Sequence, residues 1–546
     1  KAGVDDRLVY SVAIEERLGA VPEDAAIEVS LIGGGPGERL HRYTLSETPL
    51  GWNDFSMWGQ GEQGAEIEFA VNLVDCEGEA VGVWVTDPIF DLSKEEKLAK
   101  PEAAPLVLLI TSDTHRADHL AAAMGAVSVK TPALDALAAR GVLFERAQAT
   151  SCITLPSHTA MLTGVHPRDL GIVDNVTPLE DQARTLQEVF QDEGWLTFAA
   201  VSALHLGHEV SGLSQGFDRV TAPALGTVSG EESVKQLLGW LDDGNCDRPT
   251  FAWLHLYDPH APYTAKDFEG EYLKEAREGD PQLPLSLREG RARYRGEISY
   301  VDHQLSALLE HPRVQAGVVA FTADHGEVLG AHGIYFTHNE VYPDTVRVPL
   351  VMAWPGCPPG ARVEVPVSNH YVGRSLLSAA GLGSLSFPGE DLLRRLDKDE
   401  EAEPAPLFAF SFGGEAVSMT WRDRHIILHL RGHAIGQPAP LWVSEDYQVE
   451  FYDLSIDPGC LEDLVDERHD EAASYRRLLV NWLLATEDRG WAGGKEVSEE
   501  ILSQLADLGY TDANRESIWA WSDGTIAPMY TNWISDEGLC GFRVSY

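Results

Sequence analysis

Residues 150 to 164 read TSCITLPSHTAMLTG, which places Ser151, Cys152, Thr154, Ser157, His158 and Thr159 within nine positions. Every hydroxyl and the thiol in this stretch is a candidate nucleophile, and together they predict a covalent group-transfer chemistry. A Ser or Thr hydroxyl is a weak nucleophile at neutral pH and needs a base or a cation beside it. The stretch alone leaves open which residue attacks, so the activator must be sought elsewhere in the chain.

Three apolar runs end in residues suited to that task. LVLLITSDTHRAD delivers Asp113, TFAWLHLYDPHAP delivers His255, Asp258 and His260, and GVVAFTADHGEVLGAHG delivers Asp324 and His325. In open parallel sheets, ligands sit beyond the carboxyl ends of the strands, where these residues fall. A single Asp at such a place serves equally well as a helix cap or turn residue. Carboxylates and imidazoles converging from separate strands instead suit a divalent cation, oxygen favouring calcium or manganese and nitrogen favouring zinc.

The elements that must carry these residues follow from periodicity. From LVLLITSD onward, buried apolar strands alternate with amphipathic stretches of helical length: TPALDALAARG, TLQEVFQDEG, ESVKQLLGWLDDG and ISYVDHQLSALLEH. This pattern predicts an α/β domain with a mostly parallel sheet covered on both faces. Before it, RLVYSVAI, AAIEVSLIG, AEIEFAVNLV and EAVGVWVTD alternate or run apolar between turn residues, predicting a β-sandwich of the jelly-roll kind. The expected division is a sandwich over 1–92, a linker over 93–104, a catalytic domain over 105–404, an α+β subdomain over 405–490 and an extension over 491–546. In the subdomain, VSMTWRDRHIILHL and EFYDL read as strands and DEAASYRRLLVNWLLAT as a helix.

Composition narrows the function. The 546 residues are 44% hydrophobic, enough for a large core, and carry a formal net charge of −45. That field repels nucleic acid and anionic membrane surfaces, and an anionic substrate must be captured locally. Six cysteines (Cys76, Cys152, Cys246, Cys357, Cys460 and Cys540) show neither CxxC spacing nor a disulfide framework. No apolar run approaches the length of about 20 residues that spans a bilayer. IEERLGAVPEDAAIE and EEKLAKPE read as solvated charge runs, and the aromatic WAWSDGTIAPMYTNW reads as packing rather than a sugar platform.

From about residue 104 to 490 the chain resembles the sulfatase branch of the alkaline phosphatase superfamily. The hallmark of that branch is Cys or Ser followed by x-Pro-Ser-Arg, with Thr-Gly nine residues after the nucleophile; here Pro156, Ser157, Thr163 and Gly164 match. ITSDTHRAD, HLYDPHAPY, FTADHGEVLGAHG, YPDTVRVPLV and EFYDLSIDPGCLEDLV resemble its further landmarks in the same order. The resemblance implies the alkaline-phosphatase-like fold, ester hydrolysis, and Thr154 at the nucleophile position. It also implies one divalent ion held by Asp113, Thr154, Asp324 and His325. Cys152, two residues off register, is expected to be a buried packing residue; Arg116 and Asp118 are expected to orient a loop, and Arg347 to form an ion pair.

Departures from the family refine this expectation. Thr154 carries a methyl on Cβ, which closes the formylglycine route of family sulfatases, whereas phosphoryl transfer through a phosphothreonine stays open. The family's second Asp is Thr114, and its Asp-Asn is Asp324-His325, which favours zinc or manganese, with calcium the alternative. The family's fixed cations become His158, Ala203 and His338, while His205 and His260 occupy substrate-contacting positions. A second ion is conceivable on Asp258, His260 and His338, with His255 or His370 in support.

The function expected is metal-dependent hydrolysis of a small anionic ester, a phosphate monoester, diester or phosphonate, catalysed by Thr154, His158, His205, His260 and His338. The alternatives are a sulfatase acting without formylglycine and a non-catalytic scaffold. The N-terminal segment resembles modules that offer carbohydrate contact. Family likeness and a first residue, Lys1, other than Met suggest an extracytoplasmic address.

Overall fold

The structure, a computed structural model, describes residues 105–123, 128–242, 248–396, 404–435, 442–487 and 489–493, together with the backbone of seven strands between Arg7 and Asp91. The expected linker and nearly all of the C-terminal extension, with its aromatic run, lie outside the described residues. The N-terminal strands pair antiparallel in two sheets. Arg7–Ile14 is flanked by Gly51–Trp58, Val83–Val85 and Ile89–Asp91, and Ala26–Ile32 by Arg39–Thr44 and Glu68–Val74. Arg39–Thr44 is a strand that alternation did not reveal, because RLHRYT is polar at four of six positions.

The α/β region is built on eight strands: β1 (Leu106–Ser112), β2 (Val142–Phe144), β3 (Leu196–Ala200), β4 (Arg219–Thr221), β5 (Thr250–Leu256), β6 (Val318–Thr322), β7 (Leu350–Ala353) and β8 (Ala361–Val363). Their order is β4-β3-β5-β1-β6-β7-β2-β8, and only the pairs made by β7 are antiparallel. The long apolar runs thus occupy the middle of the sheet, where both faces are covered.

Alternation along β1 shows how the core is divided. Val107 and Leu109 join the cluster containing Leu155, Met161 and Leu162 of α2 (Thr154–Thr163) and Leu376 of α5 (Val372–Ala379). Leu106, Leu108 and Ile110 face the other way. They pack with Leu134 and Leu137 of α1 (Pro132–Arg140), Leu237 of α3 (Gly230–Asp242) and Leu305 of α4 (Leu285–Glu310). Successive side chains of a strand point to opposite faces, so one strand feeds two cores.

A four-stranded antiparallel sheet follows in the order β9 (Leu407–Phe410), β10 (Ala416–Trp421), β11 (Arg424–His429) and β12 (Val449–Asp453). Its apolar face packs on Leu479, Val480 and Leu483 of α6 (His469–Leu484). Among the described residues no helix is long and apolar enough to cross a membrane.

Candidate active site

The three central strands β5, β1 and β6 end side by side, and the loops that leave them carry the polar residues. Asp113 follows β1 directly, its N–H donated to the Leu256 carbonyl of β5 at 2.8 Å. Asp324 and His325 leave β6 two residues beyond its end. Asp113, Asp324 and His325 are fully buried, and each offers a ligand atom within 4.8 Å of the other two. Nε2 of His325 lies 3.3 Å from Oδ2 of Asp324 and 3.8 Å from Oδ1 of Asp113.

Local hydrogen bonds aim these groups inward. Asp324 Oδ1 accepts the backbone N–H groups of His325 at 2.8 Å and Thr114 at 3.2 Å, which turns Oδ2 toward the group. His325 Nδ1 lies 3.0 Å from the Gly326 carbonyl, so Nδ1 carries the hydrogen and Nε2 presents its lone pair. Thr114 is held at φ 53°, a left-handed conformation that costs a β-branched residue on the order of 1–3 kcal/mol. Its carbonyl accepts from the Tyr294 hydroxyl at 2.6 Å, so both sides of the strained peptide are pinned.

Of the hydroxyl and thiol side chains crowded before the Leu-Thr-Gly, Thr154 turns its oxygen to this cluster, and His158 Nδ1 also lies 3.8 Å from Oδ2 of Asp324. Ser151 donates to the Phe410 carbonyl at 3.2 Å, Ser157 to that of Asp324 at 2.7 Å, and Thr159 to that of Leu155 at 2.7 Å. Cys152 is buried in an apolar cluster with Ile153 and Val328, and burial raises its thiol well above the ordinary value. Thr154, the first residue of α2, puts Oγ1 3.4 Å from Nε2 of His325. The Thr-Gly ends the same helix. Gly164 caps it at φ 69°, and a Cβ there would come within 2.6 Å of the Pro388 carbonyl.

The histidines divide by their partners. His158 Nδ1 donates to the Thr154 carbonyl at 2.9 Å, and its Nε2 lies 3.0 Å from Thr111 Oγ1, which also accepts the Trp253 indole N–H. Both ring nitrogens of His158 are therefore engaged within the protein. His255, fully buried on β5, sets Nε2 3.5 Å from Asp113 Oδ2. Nδ1 of His260 lies 2.8 Å from the Tyr257 hydroxyl and 2.6 Å from the Ala261 carbonyl, and its ring centre is 5.0 Å from that of His338. The His338 ring in turn lies 4.3 Å from that of His325. His205 is fully buried, close enough for the charges of His260, His158 and His325 to act on it.

The second cation set is not assembled. Asp258 is taken up by the first turn of α3, accepting the Gly230 N–H at 3.0 Å, with the Gln304 amide at 3.4 Å. Among the described residues, the one set of three or more acid, imidazole or thiol groups close enough to share an ion is Asp113, Asp324 and His325. His370 is bonded to Ser368 Oγ at 2.6 Å instead. Arg116 bridges Asp118 at 2.7 Å and Asp344 at 2.9 Å and donates to the Glu327 carbonyl, as expected of a loop-orienting residue.

Sequence reading overlooked Glu327. Fully buried, it places Oε1 3.5 Å from Nδ1 of His338. It lies only three residues beyond Asp324, and the rule that polar residues cluster after a buried strand would have found it.

The electrostatics of the cluster are those of a cation site. Burial, followed by the charges of Asp324 and Glu327, pushes Asp113 well above the ordinary carboxylate value. Burial likewise pushes Glu327 up to about 8 and drives His205, His255, His260 and His338 well below the usual imidazole value. Both oxygens of Asp113 and Oδ2 of Asp324 are buried without a hydrogen-bond partner. Orphaned carboxylate oxygens at zero exposure are costly, and a divalent ion between them removes that cost. The donor set fits such an ion.

With fold and site in hand, the comparisons place the chain. The family model described as Sulfatase matches residues 105–382. The ulvan-active sulfatase of Formosa agariphila is 26% identical over 383 residues, covering 62% of this chain and 73% of that protein. The solved phosphonate monoester hydrolases of Silicibacter pomeroyi and Agrobacterium radiobacter superpose with TM-scores of 0.56 and 0.53 at 18% and 20% identity. They cover 70% and 74% of this chain and 96% of each of theirs. The chain belongs to the sulfatase family, ester hydrolases of alkaline-phosphatase-like fold.

Proposed function

We propose that the protein hydrolyses a small phosphate or phosphonate ester through covalent attack by Thr154. The observation that carries this reading is the 3.4 Å approach of Thr154 Oγ1 to His325 Nε2, beside two buried aspartates with orphaned oxygens. The hydroxyls of Ser151, Ser157 and Thr159 are committed to backbone carbonyls, and a Thr cannot become the aldehyde that sulfate ester cleavage in this family uses.

Asp113, Asp324, His325 and Thr154 are the residues that would hold a divalent ion, zinc or manganese in preference to calcium because one donor is an imidazole. Such an ion lowers the pKa of a neighbouring hydroxyl and supplies the positive charge that the histidine-lined pocket lacks. Thr154 Oγ forms the bond to phosphorus as the bond to the leaving group breaks. Water then opens the phosphothreonine and releases phosphate or phosphonate. His158 positions Thr154 through its carbonyl, and the carbonyl contact fixes the first turn of α2. His205, His260 and His338 are assigned to the ester, holding its non-bridging oxygens and the attacking water. Depressed as they are, these imidazoles act as neutral hydrogen-bonding groups.

Sulfate is the second reading, favoured by the likeness to an ulvan-active sulfatase. A panel of nitrophenyl phosphate, phosphodiester, phosphonate and sulfate esters ranks the substrates. Turnover of a phosphorus ester with a mass gain of one phosphoryl group on Thr154 is the expected result. Turnover of sulfate alone overturns the first reading, and inertness across the panel overturns both.

A further inference from the structure

A cavity of about 140 Å³ lies at the seam between the α/β sheet and the C-terminal four-stranded sheet. Arg146, Gln148 and Arg347 line it from one side, and Thr420, Asp423 and His425 from the other. Gln148 and Arg347 stand opposite each other in an antiparallel bridge, so their side chains leave on the same side, about 5 Å apart at Cβ.

The polar groups gathered there are poorly matched among themselves. Arg347, expected to form an ion pair, has neither an ion pair nor a hydrogen bond to its guanidinium among the described residues. Asp118 and Asp344, whose charges reach it, are both bonded to Arg116. Burial, and then the positive charge of Arg146, lowers the pKa of Arg347. Arg146 is tied through Nη2, which donates to the Arg422 carbonyl at 3.0 Å and stands 3.4 Å from Asp423 Oδ1. Gln148 is 3% exposed, and its Nε2 is buried without a hydrogen-bond partner. His425 adds no charge: Nε2 donates to the Val341 carbonyl at 3.0 Å, Nδ1 accepts from the Thr420 hydroxyl at 2.8 Å, and burial lowers its pKa to about 4. Two guanidinium groups that repel each other and an orphaned amide N–H each cost free energy, and one oxyanion between them relieves both costs.

We propose that this seam binds a phosphate-sized oxyanion, held by the Arg347 guanidinium and Gln148 Nε2 with Arg146 beside them. A cavity of this size takes several waters or one tetrahedral ion. Phosphate is favoured over sulfate because Asp423 lines the same wall. A carboxylate repels both ions, but it accepts the hydrogen that phosphate keeps at neutral pH and sulfate lacks. None of the lining residues belongs to the Thr154 cluster, so the site stands independently of the reaction proposed above. A bound ion joins Gln148, six residues ahead of Thr154, to the C-terminal sheet.

The test uses the full chain at constant ionic strength. Crystals soaked in tungstate, a tetrahedral oxyanion with an anomalous signal, locate the site, and calorimetric titration with inorganic phosphate and with sulfate measures it in solution. The wild type should show tungstate between Arg347 and Gln148. Arg347→Met should lose that peak, together with one equivalent of bound phosphate or at least about tenfold in its affinity. Gln148→Leu, which removes an unused donor, should weaken the same equivalent by about three- to tenfold, and it decides the matter if Arg347→Met does not fold. Asp423→Asn should narrow the preference for phosphate over sulfate. Tungstate in the crystal with no binding in solution that depends on Arg347 or Gln148 means an adventitious ion only and overturns the proposal. Absence of tungstate from the cavity overturns it as well, and sulfate bound more tightly than phosphate overturns the choice of ligand.

Discussion

The hydroxyl of Thr154 and Nε2 of His325 lie 3.4 Å apart although 171 residues separate them in the chain. One begins α2 and the other follows β6, so the pair exists only when helix, sheet and loop are all in place. The proposed nucleophile is thus bound to the integrity of the whole α/β core.

Thr154→Val keeps shape and β-branching but removes the hydroxyl. Esterase activity should fall on the order of 10⁴-fold or more, with loss of the covalent phosphoryl adduct. Thr154→Ser should retain turnover. Mass spectrometry of the quenched enzyme, with initial rates, checks both.

Asp113 and Asp324 cost stability while their buried oxygens lack a partner, and an ion held there repays it. Zinc or manganese at one hundred times its dissociation constant should stabilise the fold by about 2.7 kcal/mol, and a chelator should reverse the gain. Asp324→Asn should abolish most of the ion's effect on Tm. Calorimetry with and without chelator reads the difference.

Asp258 caps α3. Asp258→Ala should cost about 1–2 kcal/mol of stability by leaving the Gly230 N–H without its acceptor. Metal content by elemental analysis should stay that of the wild type. A drop in metal stoichiometry would restore Asp258 as a ligand.

His433 gives the stability a pH dependence distant from the ion site. Burial alone would lower its value, yet the Glu340 carboxylate at 3.3 Å and the charge of Glu415 raise it above the ordinary imidazole. A raised folded value means that the stabilisation is fully present below about pH 6.5 and is lost as the pH climbs through the folded value. The Tm difference between wild type and His433→Gln, measured between about pH 5.5 and 8.5, should be largest at the acid end and shrink as the pH rises.

Much of this was legible in residue order. The apolar runs named the central strands, and the polar residues that end them named Asp113, Asp324 and His325. Thr154 was legible only through the family spacing, because Ser151, Cys152, Ser157 and Thr159 beside it offered the same chemistry. What separated them was the direction of each hydroxyl, and that depends on carbonyls as remote as Phe410. Asp258 was misread because a carboxylate after a strand looks alike whether it meets a cation or a helix terminus. Only the packing of α3 against β5 decides between the two. Glu327 was within reach of the same rule, three residues beyond Asp324, but its contact with the ring of His338, eleven residues away, is visible only in the folded chain.

The central position of β1, with β5 on one side and β6 on the other, has a consequence during synthesis. Asp113 leaves the ribosome long before Asp324 and His325, and until β6 has docked the nascent polypeptide holds only one of the three clustered side chains. A truncated product that ends before β6 therefore cannot assemble the cluster, however well the rest of it folds.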